Sequence, residues 1–372
     1  MVDLYVKNGH DVNGAPLEIT IMDGKIAAVG TELLGIEAKE VLDLNGSIVS
    51  AGWIDDHTHC YEKLTLYYDD PDKDGVATGV TTVIDAGSTG ADNIGDFYEI
   101  TRAKKTNVYA MINISRTGIL AQDELGDMNR VQWDVFQAAV EQHPDFIVGI
   151  KARESHSVVV DNDVKPLEMA KRYQAKLAEY LPIMVHVGAN PPELADVLAL
   201  MTSGDVLTHA YNGKPNGMLT ANGEVKDFIW DAYRRGIRFD VGHGTDSFNF
   251  QTAEVAFKAG LTPKSISTDI YHRNRENGPV YDMATTLEKM MLLGYDLPTV
   301  IKMVTEAPAA NFNLSHKGQL KVGYDGDLTV FNLENQAKEL TDSNGNQRTT
   351  TTSLRPEYAV VAGKVYEVEE KS

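Results

Sequence analysis

The sequence predicts an α/β protein: a (β/α)8 barrel of the TIM type, joined to a small β-sandwich domain that both termini build together. Three observations carry this reading. Eight short apolar runs alternate with amphipathic helical stretches between residues 53 and 317. Both chain ends lack that rhythm and alternate like strands. Most of the apolar runs close on a polar residue suited to chemistry.

The apolar runs are 54–57, 81–85, 108–113, 146–151, 182–186, 206–209, 237–241 and 265–269. Helix candidates between them include 166–180, 192–201 and 252–259. Strict β and α alternation implies a parallel sheet. Eight units over roughly 265 residues match the size of a (β/α)8 barrel, about 250 residues.

At the N-terminus, Leu17-Glu18-Ile19-Thr20-Ile21 alternates, Asp23-Gly24 supplies a turn, and Lys25-Ile26-Ala27-Ala28-Val29 returns. At the other end, Leu328-Thr329-Val330-Phe331 and Tyr358-Ala359-Val360-Val361 are strand-like, with a turn at Ala362-Gly363-Lys364. Neither end has enough apolar residues for its own core. Residues 1–52 and 318–372 are therefore expected to form one domain around an inserted barrel, 53–317. The polar stretch 335–352, with Ser343-Asn344-Gly345-Asn346 and a threonine run, is expected as an exposed hairpin loop.

The charge balance is acidic: 34 Lys+Arg against 54 Asp+Glu give a net charge of −20 over 372 residues. Such a chain repels nucleic acid and anionic membranes. It does not require a cationic substrate, because bound metal reverses the local sign. The single cysteine, Cys60, excludes an intrachain disulfide and a cysteine metal cage. No apolar run approaches the roughly 18 residues of a membrane span, and the N-terminus lacks a basic-then-apolar leader. A soluble, cytoplasmic protein is expected.

In a (β/α)8 barrel the C-terminal strand ends surround the active site. The residues expected there are His57 and His59 on strand 1, Lys151 on strand 4, His186 on strand 5, His209 on strand 6 and Asp269 on strand 8. His57 and His59 are two apart, so a strand points both imidazoles one way. They make a half-site for zinc, with manganese or iron as alternatives. An ammonium beside two dications would be electrostatically prohibitive. A desolvated, neutral lysine can instead take up carbon dioxide as a carbamate that bridges two metals. The dry run Phe146-Ile147-Val148-Gly149-Ile150 before Lys151 favours the neutral amine. Two dications, a carbamate, an aspartate and a hydroxide sum to about +1, suited to an anionic substrate. Taken singly, each residue has a plainer reading. His-x-His also occurs on solvated strands, His186 could be a core histidine, and Asp269 could cap a helix.

Ser50-Ala51-Gly52-Trp53-Ile54-Asp55 followed by His57-Thr58-His59 resembles the strand-1 signature of the amidohydrolase superfamily. Lys151, His186, His209 and Asp269 follow in the order of its binuclear, carboxylated-lysine branch. Thr305-Glu306-Ala307-Pro308-Ala309-Ala310 and the stretch 318–328 resemble the return from barrel to sandwich. Within the superfamily the chain is similar to the dihydroorotase-like deacetylase group, often labelled dihydroorotase or adenine deaminase. The resemblance implies that His57, His59 and Asp269 bind one metal and that His186 and His209 bind the other. It implies a carbamylated Lys151 and a hydroxide between them, with Asp269 passing the proton to the leaving group.

The substrate implied is a small ester or amide bearing a carboxylate, an acetylated α-hydroxy acid such as acetyl-mandelate first. Cyclic amide hydrolysis is the nearest rival. Nucleobase deamination is a further rival, but no glutamate follows His186 or His209 at the His-x-x-Glu spacing of mononuclear deaminases. A non-catalytic barrel subunit is the non-enzymatic alternative. Arg153, Tyr211 and Tyr271 each lie two residues past a ligand and are candidate substrate contacts, with His243 and His272 beside them. Arg153 could fork onto a substrate carboxylate. The partner expected is a small anionic molecule, with neither nucleic acid nor membrane; a homo-oligomer is left open. Cys60 is expected to face away from the metals.

Overall fold

The computed structural model describes residues 1–369. Seven parallel strands follow one another in space as in sequence: β6 (Trp53–Thr58), β7 (Val80–Ala86), β8 (Asn107–Asn113), β9 (Ile147–Glu154), β10 (Ile183–Val187), β11 (Val206–Thr208) and β12 (Arg238–Phe239). Every residue of β6, β7 and β9 is buried. Strands covered on both faces carry apolar runs at their N-terminal ends, as Ile147-Val148-Gly149-Ile150 does in β9, and the buried polar residues Asp55, His57, Asp85 and Lys151 gather toward the other end.

The eighth apolar run is not a regular strand, yet it closes the ring. Ser265 bridges Asp240 on one side, and Ile270 bridges Thr58 on the other. Between them the Thr268 backbone N–H donates to Asp55 Oδ1 at 3.1 Å, and the Thr268 hydroxyl donates to Asp55 Oδ2. A side-chain carboxylate thus replaces the strand ladder beside the future site. Below the mouth, Ile54, Ile84, Met111, Met184 and Val206 fill the barrel, and Phe312 and Leu314 join them.

The helices pack outside. Lys165–Lys176 buries Leu167, Ala170 and Tyr173 on one helical face. Phe250–Ala259 is capped by the Asn249 side chain, which accepts from the Thr252 N–H, and ends at left-handed Gly260. Each fully buried aliphatic side chain of this layer contributes about 1.5–3 kcal/mol.

Both termini share one eight-stranded sheet: β1 (Val2–His10), β2 (Pro16–Met22), β3 (Lys25–Gly30), β4 (Ala38–Asp43), β5 (Ile48–Ala51), β13 (Leu328–Glu334), β16 (Ser353–Val361) and β17 (Lys364–Glu367). The two ends meet where β5 pairs antiparallel with β13, Val49 opposite Val330. Leu4, Val6, Ile19, Ile21, Val330 and Val360 form the shared core. The stretch expected as an exposed hairpin loop is a hairpin, but it is not wholly exposed. It forms a separate hairpin, β14 (Lys338–Thr341) and β15 (Gln347–Thr350), that buries Leu340 in the barrel's main core. No described helix is long and apolar enough to cross a membrane.

Candidate metal centre

The imidazoles at the barrel mouth are set by what holds their outer nitrogens. His57 Nδ1 lies 2.8 Å from the Thr208 hydroxyl, which itself donates to Asp240 Oδ2 at 2.8 Å. His57 must therefore supply the Nδ1 proton and keep a lone pair on Nε2. His209 Nδ1 donates to the Gly242 carbonyl at 2.6 Å, which fixes the same tautomer. His59 Nδ1 pairs with the Ser88 hydroxyl at 2.9 Å. Outer partners of this kind orient metal ligands.

The inner atoms converge. Asp269 Oδ1 lies 3.3 Å from His57 Nε2 and 3.2 Å from His59 Nε2. Lys151 Nζ lies 3.1 Å from His57 Nε2. The His209 ring stands 4.9 Å from His57 and 4.5 Å from His186, centroid to centroid. The ligand atoms of His57, His59 and Asp269 all fall within 4.8 Å of one another, a group able to hold a metal ion.

Electrostatics match the geometry. Burial holds the His57 and His186 imidazoles well below their ordinary values and brings His209 down to about 4. Burial also brings the Lys151 amine down to about 7. Burial alone would raise the Asp269 carboxyl, but its hydrogen bond with His59 and the positive groups around it hold it lower. Imidazoles at His57, His186 and His209 whose burial disfavours the cation, a carboxylate held low and an amine of reduced basicity form a donor set suited to divalent cations.

The backbone is shaped around these side chains. His209 and Asp269 both occupy the left-handed region, with φ of 62° and 51°. Non-glycine residues held there mark a constrained site. Gly87, at φ 77°, could not carry a β-carbon, which would come within 2.5 Å of Lys151 Cβ.

Arg153 lies on β9 beyond Lys151, and its backbone pairs with His186. Because β9 continues to Glu154, alternation keeps Arg153 facing inward with Lys151. Its Nη1 donates to both oxygens of the buried Glu124, at 3.1 and 3.0 Å. Its Nε and Nη2 have no hydrogen-bond partner among the described residues.

Comparisons with known proteins agree with this geometry. A deacetylase-like composite domain model matches residues 320–367. A deacetylase of Enterococcus faecalis is 55% identical over 98% of this chain and 99% of its own length. The chain belongs to the deacetylase group of the amidohydrolase superfamily. A solved structure described as an adenine deaminase is 54% identical, with TM-score 0.97 over 99% of this chain and all of that one. Another, described as a dihydroorotase, is 33% identical, with TM-score 0.90 over 99% of this chain and 98% of that one. The chain is thus a hydrolytic enzyme of this group.

The amidohydrolase mouth gathers some of the expected substrate contacts and leaves others out. Tyr271 stands near it, its hydroxyl 3.1 Å from Thr245 Oγ and its ring edge-on to Tyr67 at 5.1 Å. His272 opens the helix His272–Asn277 and stacks on Tyr68 at 4.1 Å. Tyr211 is turned into the helix layer, where its hydroxyl donates to the Leu261 carbonyl at 3.4 Å. The left-handed turn at His209 ends strand alternation before Tyr211, so the inward direction does not propagate. His243 is also withdrawn: Nδ1 pairs with the Gly244 carbonyl at 2.9 Å and Nε2 with Lys289 Nζ at 2.8 Å. Cys60 is buried in the outer core, away from the ligands as expected.

Four contributors escape the sequence pattern. Glu124 and Tyr67 lie on loops with no periodicity. The Tyr67 ring sits 5.7 Å from His59 and 5.8 Å from the Arg153 guanidinium. Thr208 and Asp240 act behind His57. Asp55 was within reach of the pattern, since it precedes His57 by two residues and so faces the same interior one layer deeper.

Proposed function

We propose that this enzyme hydrolyses a small ester or amide bearing a carboxylate, with an acetylated α-hydroxy acid as the first choice. The carrying observation is Arg153, which lies on the strand that presents Lys151 and is partnered by Glu124 through one nitrogen only. His57, His59 and Asp269 would hold one divalent cation and His186 and His209 a second, zinc before manganese or iron, with Lys151 as a carbamate between them. When bound, such a pair activates water and polarises the substrate carbonyl.

This chain's own residues do the rest. The outer hydrogen bonds of His57 and His209 keep their Nε2 lone pairs turned inward. Arg153 takes the substrate carboxylate through its remaining N–H groups and presents the acyl carbon to the mouth. Water oxygen adds to that carbon and Asp269 accepts the water proton. The bond to the leaving alkoxide breaks, and Asp269 returns the proton to that oxygen. The acidic exterior would repel such a substrate, so the positive charge must be local. A cytoplasmic location fits the single buried thiol.

The relatives support the class and differ on the substrate: one is called a deacetylase, one an adenine deaminase and one a dihydroorotase. Val187-Gly188-Ala189 and Ala210-Tyr211-Asn212 after the two histidines offer no ring-protonating glutamate, which disfavours deamination. The test is a screen of metal-reconstituted enzyme against O-acetyl hydroxy acids, N-acyl amino acids, dihydroorotate and adenine. The highest kcat/KM is expected for the O-acetyl hydroxy acids. Preferential turnover of dihydroorotate or adenine would replace this reading.

A further inference from the structure

The hairpin of β14 and β15 lies in sequence between two strands of the terminal sheet but is built onto the barrel. Lys338 pairs with the buried Glu288 at 2.8 Å, and Arg348 with Glu254 at 2.9 Å. Its turn is a saturated joint. The buried Asp342 carboxylate accepts the backbone N–H groups of Asn344 and Asn346 through Oδ1, each at 2.8 Å. Oδ2 accepts the Phe250 backbone N–H and Asn346 Nδ2, each at 2.9 Å. Phe250 opens a barrel helix, whose first N–H groups lack intrahelical partners and favour an anion.

Ser343 reaches further. Its N–H donates to the Phe248 carbonyl at 3.0 Å, and the Phe248 N–H donates back to Ser343 Oγ at 3.1 Å. The one proton of the same hydroxyl is shared between the carbonyls of Gly244, at 3.0 Å, and His243, at 3.3 Å. The segment it grips backs the metal centre. The Gly244 N–H donates to the Thr268 carbonyl at 2.9 Å, and a β-carbon on Gly244 would collide with Asp269 Oδ2. Thr245 in turn meets the Tyr271 hydroxyl. Gly242 and Gly244 both hold positive φ, so this segment has little rigidity of its own.

We propose that Ser343 is a positioning residue for the metal centre: its hydroxyl fixes the Gly244 backbone against the Asp269 carboxylate. The β14–β15 hairpin then sets the geometry of a ligand at the barrel mouth. This rests on Asp269 being a metal ligand, as in the function proposed above.

The test uses the full chain loaded with Co(II) alone. Ser343→Ala is expected to bind Co(II) about 10–100-fold more weakly and to alter its visible ligand-field spectrum. The unfolding midpoint of the metal-free protein should stay within about 2 °C of the parent. Ser343→Thr, which keeps the hydroxyl, should restore affinity and spectrum. Parent-like affinity and spectrum in Ser343→Ala would overturn the proposal. So would a loss that threonine does not recover, or one matched by lost stability of the metal-free protein. Asp269→Asn, measured alongside, separates the two readings. If it leaves Co(II) binding untouched, the ligand assignment itself falls. If it disrupts binding while Ser343→Ala does not, only the coupling through Gly244 falls.

Discussion

Two lysines in this protein share nearly every bulk property. Lys151 and Lys289 are both fully buried, and burial brings both amines down to about 7. Each lies beside an imidazole Nε2, Lys151 at 3.1 Å from His57 and Lys289 at 2.8 Å from His243. Their hydrogen-bond partners differ. Lys289 also donates to the Pro279 carbonyl at 2.7 Å, and its histidine stacks on Phe248, which completes the pair. The other contact of Lys151 is the Met184 thioether at 3.3 Å, a weak acceptor. Around it stand Asp269 and the His186 and His209 imidazoles, with which it interacts electrostatically. Burial and a lowered pKa thus do not separate the candidate ligand Lys151 from the internally paired Lys289; what the amine faces does.

The comparison breaks first at Lys151. Lys151→Ala should lose bound metal and activity together, by several orders of magnitude in rate, as read by elemental analysis and assay of one preparation. A short carboxylic acid in solution should restore part of both. A fully metallated, active variant would make Lys151 equivalent to Lys289. Next, Asp269→Asn should lower turnover beyond the roughly 10²–10⁴-fold of acid–base catalysis, because a ligand is altered too. A loss below tenfold with metals retained would contradict both roles.

Arg153→Met should cut kcat/KM for a carboxylate substrate by roughly 10–150-fold and barely affect a neutral ester analogue. The buried Glu124 complicates that variant, since it loses its partner. Glu124→Gln, which keeps the guanidinium, should therefore be assayed beside it. Equal losses on both substrates would make Arg153 structural.

The smallest effect on catalysis is expected at Lys289. Its amine titrates near 7 when folded and near 10.5 when unfolded. Between those values the unfolded chain binds more protons, so the buried amine costs stability below about 7, and that cost is relieved as pH rises toward 10.5. In Lys289→Met that gain in stability with pH should flatten, while kcat changes by no more than a few-fold. Denaturant titrations of metal-free parent and variant at pH 7 and 9.5 measure it. An unchanged slope would mean that Lys289 titrates as in water.

Much of the site was legible because strand geometry is local. His57 and His59 face one way through period-two alternation, and Arg153 follows Lys151 because β9 continues to Glu154. Tyr211 was misplaced by the same rule, since alternation stops at the left-handed His209. Residues 335–352 read as solvated because their polar composition does not reveal that Asp342 and Ser343 find backbone partners at Phe250 and Gly244, far away in sequence.

The order of apolar runs and the identity of the residues ending them were sufficient for the barrel and for the candidate ligands. Those properties depend on neighbours within one strand and on the C-terminal strand ends sharing a mouth. Only the tertiary structure decided the tautomer of His57, the partner of Arg153, the withdrawal of His243 and the seat of the hairpin. Each depends on a hydrogen bond between residues far apart in sequence: Thr208 and Asp240 behind His57, Glu124 on Arg153, Lys289 on His243, Ser343 on Gly244. A carboxylate or hydroxyl has no periodicity that betrays its partner, so such contacts become visible only once the chain is folded.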